Sequence, residues 1–199
     1  MYKIFVSNKP LILTDNQQIL QENFVNLSIN YQSPADLINA FNNLETIAEL
    51  KNIVIYYPNL EELWEQIDIG FNIIEAAGGK VYNAAKEILF IERFNKWDLP
   101  KGKKESDETP SKTAIREIQE ECGLSNVAII APLKTTYHTY KLGNERIIKK
   151  TNWFLMNYEG EEELVPQKEE GITKAKWFPE NQLKVPLTNT YESIQELFK

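Results

Sequence analysis

Three glutamates crowded onto about one turn of a short amphipathic helix constrain this chain more than any other feature. From Pro110 to Cys122 the sequence reads PSKTAIREIQEEC, followed by Gly123 and Leu124. Proline suits the first helical position, and glycine suits the left-handed residue that closes a helix, so both ends are marked. At about 100° per residue, Ala114, Ile115, Ile118 and Cys122 fall on one arc, the face a core accepts. Glu117, Glu120 and Glu121 fall on the adjoining arc at i, i+3 and i+4, where like charges repel by a few tenths of a kcal/mol per pair. Either water solvates that face, as with most charge runs, or a cation neutralises it. A hard divalent ion such as Mg²⁺ takes oxygen ligands and keeps waters that a phosphate can replace. Arg116, one turn before Glu120, stands where it can orient a carboxylate.

Composition narrows the setting. The 199 residues allow one large domain, or a standard domain with a smaller one, and a substantial core. No run approaches the roughly 20 apolar residues of a membrane helix, and MYKIFVSNKP lacks a secretory pattern, so the expected location is cytoplasmic and no membrane partner is expected. One cysteine, Cys122, cannot form an internal disulfide, and with one histidine it cannot build a usual zinc site. A net charge of −7 disfavours nucleic acid as a partner. It leaves a phosphorylated small molecule open, because metal ions held by clustered acids reverse the local sign.

Residues 1–70 read as a small α/β domain of open role. Strands are expected over Tyr2 to Val6 and Leu11 to Leu13, and through the alternating Val25, Leu27, Ile29 and Tyr31. Ser33-Pro34 starts a helix whose apolar stripe is Leu37, Phe41 and Leu44. A strand from Ile53 to Tyr57 stops at Pro58, and a helix follows from about Leu60 to Ile67. Ala76-Ala77-Gly78-Gly79 marks a composition change, leading into a second domain over 71–199, and the glycine pair reads equally as a turn. Strands are expected at Lys80 to Asn83, Glu87 to Arg93, Val127 to Tyr140 and Ile147 to Tyr158, the last two joined as a hairpin across Leu142-Gly143-Asn144. A last helix is expected over Asn189 to Phe198, after Pro186.

Between Gly102 and Leu124 the chain matches G-x5-E-x7-R-E-U-x-E-E-x-G-U, U being aliphatic, without gap or substitution. Seven fixed residues and two aliphatic ones in register over 23 residues make chance agreement very improbable. This is the Nudix box, and from about Ala76 onward, including AAGGKVYN and RFNKWDLPKGK, the chain resembles a Nudix hydrolase. The resemblance implies an α/β/α sandwich with a mixed sheet, in which the box supplies a loop, a helix and a loop. It also implies cleavage of a phosphoanhydride bond in a nucleoside diphosphate linked to another group, with Mg²⁺ or Mn²⁺ as cofactor. By motif position Glu117, Glu120 and Glu121 would ligate metal, and Arg116 and Glu108 would support helix and loop. One glutamate would take the proton from the attacking water. Members differ in its position, which leaves Glu120 in the box and Glu169 or Glu170 in a later loop.

Arg93 and Lys101 sit where similar enzymes place phosphate contacts, whereas Lys103 reads as ordinary surface. His138 alternates with Tyr137 and Thr139 along a strand; a structural role and a phosphate-chain contact both remain open. Trp97 reads as core or as a base-stacking ring, and Trp153, Phe154, Trp177 and Phe178 read as packing. Asp107 replaces a glycine common in the box loop, which bears on loop shape. The leading expectation is a pyrophosphohydrolase, with a dinucleoside polyphosphate or another polyphosphate favoured. The alternative is a ligand-binding or regulatory module with little turnover; removal of pyrophosphate from RNA ends is disfavoured by the acidic charge. The first domain is left open as a homodimer surface, a cover for the site or a partner-binding element.

Overall fold

The computed structural model describes residues 1–199. In chain order the strands and helices are β1 (Tyr2–Val6), β2 (Lys9–Thr14), β3 (Leu27–Asn30), α1 (Pro34–Thr46), β4 (Ile53–Tyr56), α2 (Leu60–Gly70), β5 (Asn72–Asn83), β6 (Ile88–Arg93), β7 (Lys96–Asp98) and β8 (Lys101–Lys103). They continue with α3 (Pro110–Cys122), β9 (Ala128–Pro132), β10 (Thr136–Leu142), β11 (Glu145–Tyr158), β12 (Ile172–Phe178), α4 (Lys184–Thr188) and α5 (Glu192–Gln195). Two compact units divide them, Met1–Ile73 with Tyr137–Lys149, and Ile74–Thr136 with Lys150–Lys199. No helix is long and apolar enough to cross a membrane.

In the first unit the strand order is β10-β1-β2-β4-β3. β1 and β2 form a hairpin, while β2, β3 and β4 run parallel with Leu13 and Ile29 both facing Ile55. β10 pairs parallel to β1, setting Phe5 beside His138. Alternate strand residues Ile4, Val6, Leu11, Leu13, Ile53 and Ile55 pack against Leu37, Phe41 and Leu44 of α1 and Leu63 and Ile67 of α2. Each such fully buried side chain contributes about 1.5–3 kcal/mol of transfer free energy. The Ser33 amide donates to Asp36 Oδ2 at 2.9 Å, so the expected start of α1 is also its observed start.

The second unit carries the order β12-β6-β5-β11, with β7 on β6, β8 on β5 and β9 on β11. Period-two alternation along β6 decides its two faces. Leu89 and Ile91 pack with Ala114, Ile118 and Cys122 of α3, whereas Ile88 and Phe90 pack with Trp153, Phe178, Ile194 and Leu197. Helices therefore cover both faces of a mixed sheet, the α/β class expected from the sequence.

Several local expectations differ from the structure. The glycine pair is no turn but lies inside β5, where Gly78 leaves room for β8 and Gly79 for Ile118 of α3. The run 127–140 splits after Pro132: β9 pairs with β11, while β10 begins at Thr136 and lies between β11 and β1. The C-terminal helix is broken: Asn189 and Thr190 are bonded to Trp97, so α5 starts only at Glu192. Ile115 is 37% exposed, while Glu117 and Glu121 take the covered positions beside Ile118.

At Gly78 a Cβ would stand 2.3 Å from the carbonyl oxygen of Pro100 and 2.4 Å from Lys101 Cβ, whereas at Gly70 nothing lies within 4 Å. Gly78→Ala is expected to lower unfolding free energy by about 1–3 kcal/mol in chemical denaturation. Gly70→Ala is expected to leave it level or raise it; equal stability of the two variants would contradict this close approach.

Candidate active site

α3 is capped at its start by Thr109, whose hydroxyl accepts from the Lys112 amide, and at its end by Gly123 with φ 75°, the left-handed closure expected. After that turn the chain returns alongside the helix: the Val165 amide donates to the Cys122 carbonyl and the Gln167 amide to that of Glu121. The 3₁₀ turn Lys168–Glu170 follows and is closed by left-handed Gly171.

Arg116 is the centre of this arrangement. Its Nε and Nη2 donate to the two oxygens of Glu108 at 2.7 and 2.9 Å, and Nη2 also donates to the Lys103 carbonyl at 3.1 Å. Its Nη1 reaches Glu117 at 2.7 Å and Glu120 at 2.8 Å. Thr113 adds a hydroxyl to Glu108 at 2.8 Å. One guanidinium therefore spans the box loop and two of the three helix carboxylates. Such charge-assisted, two-pronged bonding fixes geometry as well as adding energy. With Arg116 bonding first, Glu108 is held down at about 2, against an ordinary 4.5.

The third carboxylate is placed differently. Glu121 is 1% exposed; its Oε2 accepts from the Lys101 amide at 2.8 Å, while its Oε1 is buried without a hydrogen-bond partner. Burial pushes its pKa up to about 8 against the pull of the Lys101 charge and amide. Burial likewise raises Glu117, opposed by Arg116 and reinforced by the charges of Glu120 and Glu170. Gly102 makes the packing around Glu117 feasible, since a Cβ there would lie 2.1 Å from its Oε2. The expected solvated alternative therefore holds for Glu120, whose side chain is 47% exposed, and not for its two neighbours.

Oxygen-only donors, two of them buried and one atom lacking any partner, fit a hard divalent ion. As placed, no three acidic, histidine or cysteine side chains form a ready metal-holding group, and Arg116 Nη1 lies against both Glu117 and Glu120. An ion shared by those two glutamates must displace or share these bonds.

Of the residues assigned to substrate, Arg93 ends β6 and pairs with Glu170 at 3.4 Å, while its Nε is buried without a partner. Lys101 donates its ammonium to Asp98; burial, the largest influence, lowers its pKa, but Asp98 and Glu121 outweigh it and the net shift is upward. Glu169 lies exposed on the same 3₁₀ turn as Glu170. His138 belongs to the first unit, half-buried on β10 with its ring 6.5 Å from that of Tyr140. Asp98, which fixes Lys101, was missed in the sequence, although an acid three residues before a lysine is a legible signal. Trp97 packs edge-on to Phe178 at 4.9 Å.

The buried carboxyls set a pH dependence. Glu121 holds its proton in the folded chain up to about 8 but loses it near 4.5 when unfolded. Stability without divalent ions should therefore fall as pH rises from about 5 to 8, and Glu121→Gln should flatten that slope in thermal melts. Glu108 has the opposite sign: its contribution is complete above 4.5 and is lost as pH falls toward 2. A wild-type slope unchanged in Glu121→Gln would contradict the assignment.

Comparison with known proteins agrees with the box. The NUDIX domain model matches residues 74–198, including all of Gly102 to Leu124. An RNA pyrophosphohydrolase of Orientia tsutsugamushi (strain Boryong) is 29% identical over 140 residues, 61% of this chain and 83% of that protein. Among solved structures, a C. elegans Ap4A hydrolase binary complex is 21% identical over 63% of this chain and 94% of that one, with TM-score 0.49. The E. coli dihydroneopterin triphosphate pyrophosphohydrolase is 19% identical over 64% and 94%, also with TM-score 0.49. With the model covering more than half its length and every box position filled, the chain belongs to the Nudix hydrolase family.

Proposed function

We propose that this chain hydrolyses a phosphoanhydride bond in a nucleoside diphosphate linked to another group, a dinucleoside polyphosphate or similar polyphosphate chain being the favoured class. One observation carries the reading: Glu121 is buried beside Glu117 with an oxygen that nothing in the protein satisfies. An isolated buried carboxylate is costly, so its retention in a box whose other positions are all filled points to use rather than to stability.

Glu117, Glu120 and Glu121 are the residues that would hold Mg²⁺ or Mn²⁺. When bound, such an ion makes water a stronger acid and neutralises phosphate charge. Arg116 orients Glu117 and Glu120, and through Glu108 it locks the box loop to the helix. A glutamate takes the proton from water as its oxygen bonds to phosphorus and the anhydride P–O bond breaks. Glu120 is the box candidate, with its exposed carboxylate, and Glu170 the loop candidate, close enough to Glu117 to raise its pKa. Arg93 and Lys101 supply positive charge for the phosphate chain. The RNA pyrophosphohydrolase relative brings RNA into consideration, but a net charge of −7 opposes that substrate.

A second reading, binding with little turnover, is favoured by one feature: Arg116 Nη1 already satisfies both Glu117 and Glu120. Turnover separates the two. Dinucleoside polyphosphates, nucleotide sugars, ADP-ribose and oxidised nucleotides should be incubated with the full chain and Mg²⁺ or Mn²⁺, with products resolved by chromatography. At least one is expected to be cleaved at an anhydride, and Glu120→Gln and Glu121→Gln are expected to lower kcat/KM by about 10²–10⁴-fold without loss of fold. Wild-type activity in both variants would remove the proposed roles; no cleavage across the set would favour the binding module.

A further inference from the structure

Arg93 and Lys96 face each other across β6 and β7, so the loop between them is the two residues Phe94 and Asn95. Both have positive φ, 53° and 59°, the backbone of a tight primed hairpin turn. Such turns favour asparagine, aspartate or glycine, and Asn95 conforms. Phe94 does not: a bulky ring is poorly suited to left-handed backbone. Nor does the core call for it, since Phe94 is 72% exposed. Neither turn chemistry nor burial accounts for an aromatic residue at this point.

Its surroundings do. The guanidinium carbon of Arg93 lies 5.2 Å from the Phe94 ring centroid, and Arg93 pairs with Glu170 while its buried Nε lacks a partner. Gly171 is also close, a Cβ there standing 3.9 Å from Phe94 Cε1. The turn that carries Glu170 thus also borders the ring. An exposed flat apolar face here adjoins a guanidinium able to hold phosphate oxygens. The molecule that presents an aromatic plane beside a phosphate is a nucleotide.

We infer that Phe94 is the stacking platform for the nucleobase of the substrate, with Arg93 holding the phosphate attached to that nucleoside. This rests on the proposed hydrolysis of a nucleoside-linked anhydride and deepens it by naming the side chain that receives the base. Stacking accepts any base, because each has a π face, so Phe94 sets affinity for nucleotides and not the choice among them.

The test uses the full chain and measures equilibrium binding of ADP and of inorganic tripolyphosphate, both with Mg²⁺, by calorimetry. For ADP, Phe94→Ala is expected to raise Kd by about 5- to 100-fold and Phe94→Tyr to restore it, while tripolyphosphate binding stays unchanged in both. In turnover of whichever nucleotide the wild type cleaves, KM should rise with kcat retained. Equal ADP affinity in Phe94→Ala, equal weakening for tripolyphosphate, or no saturable ADP binding by the wild type would overturn the platform. Binding needs no cleavage, so stacking by a chain that proves inactive would uphold this inference while removing the hydrolase reading.

Discussion

The bonding of one guanidinium, that of Arg116, is the constraint on which the rest of the second unit depends. It ties the loop at Glu108 and Lys103 to Glu117 and Glu120 on α3, so loop and helix cannot move independently. Lysine could not substitute, since a point charge lacks the planar fork needed to grip Glu108 by two atoms while a third nitrogen reaches the helix. Arg116 itself is held more firmly protonated by Glu108 first and by Glu117 and Glu120 in addition, although partial burial opposes this. The cluster is therefore mutually charged and self-supporting.

Glu121 stands outside that network and is where the fold accepts a penalty. Ile118 and Cys122 anchor α3 in the core, and the same face draws Glu117 and Glu121 under cover. Only the Lys101 amide compensates Glu121 directly, with Asp98 holding the lysine ammonium nearby. Gly78 and Gly102 make this closeness feasible, one by admitting β8 beside β5 and the other by admitting β8 beside Glu117. Removing either cleft would relieve no strain; it would push apart the strand and helix that define the carboxylate environment.

How much of this was legible in the sequence follows from the range of each signal. The ends of α3 are local chemistry, and Pro110 and Gly123 act as proline and glycine at those positions suggest, with Thr109 adding a cap the sequence reading did not use. The starts of α1 and α2 are equally local. The register of the box identified Arg116 and its glutamates, but helical periodicity assigned Ile115 to the core and left the burial of Glu117 and Glu121 undecided. That outcome depends on how closely β8 approaches, which only a missing Cβ at Gly102 permits. β7 and β8 have three residues each, too few for a period to show. The split of 127–140 depends on pairing: both halves neighbour β11, but only β10 also lies against β1, far away in sequence. Phe94 was invisible because an aromatic residue reads as core until its exposure and its left-handed backbone are known.

The central claim is that Glu117 and Glu121, drawn under cover by the core face of α3, together with Glu120, receive a divalent cation. The most direct measurement is the electron paramagnetic resonance signal of free Mn²⁺ during titration of the full chain at pH 8. The wild type should remove Mn²⁺ from solution saturably, and a Glu117→Gln, Glu121→Gln double variant that melts no lower than the wild type should leave it free. Identical Mn²⁺ uptake by the two proteins, or no uptake by the wild type, would contradict the account.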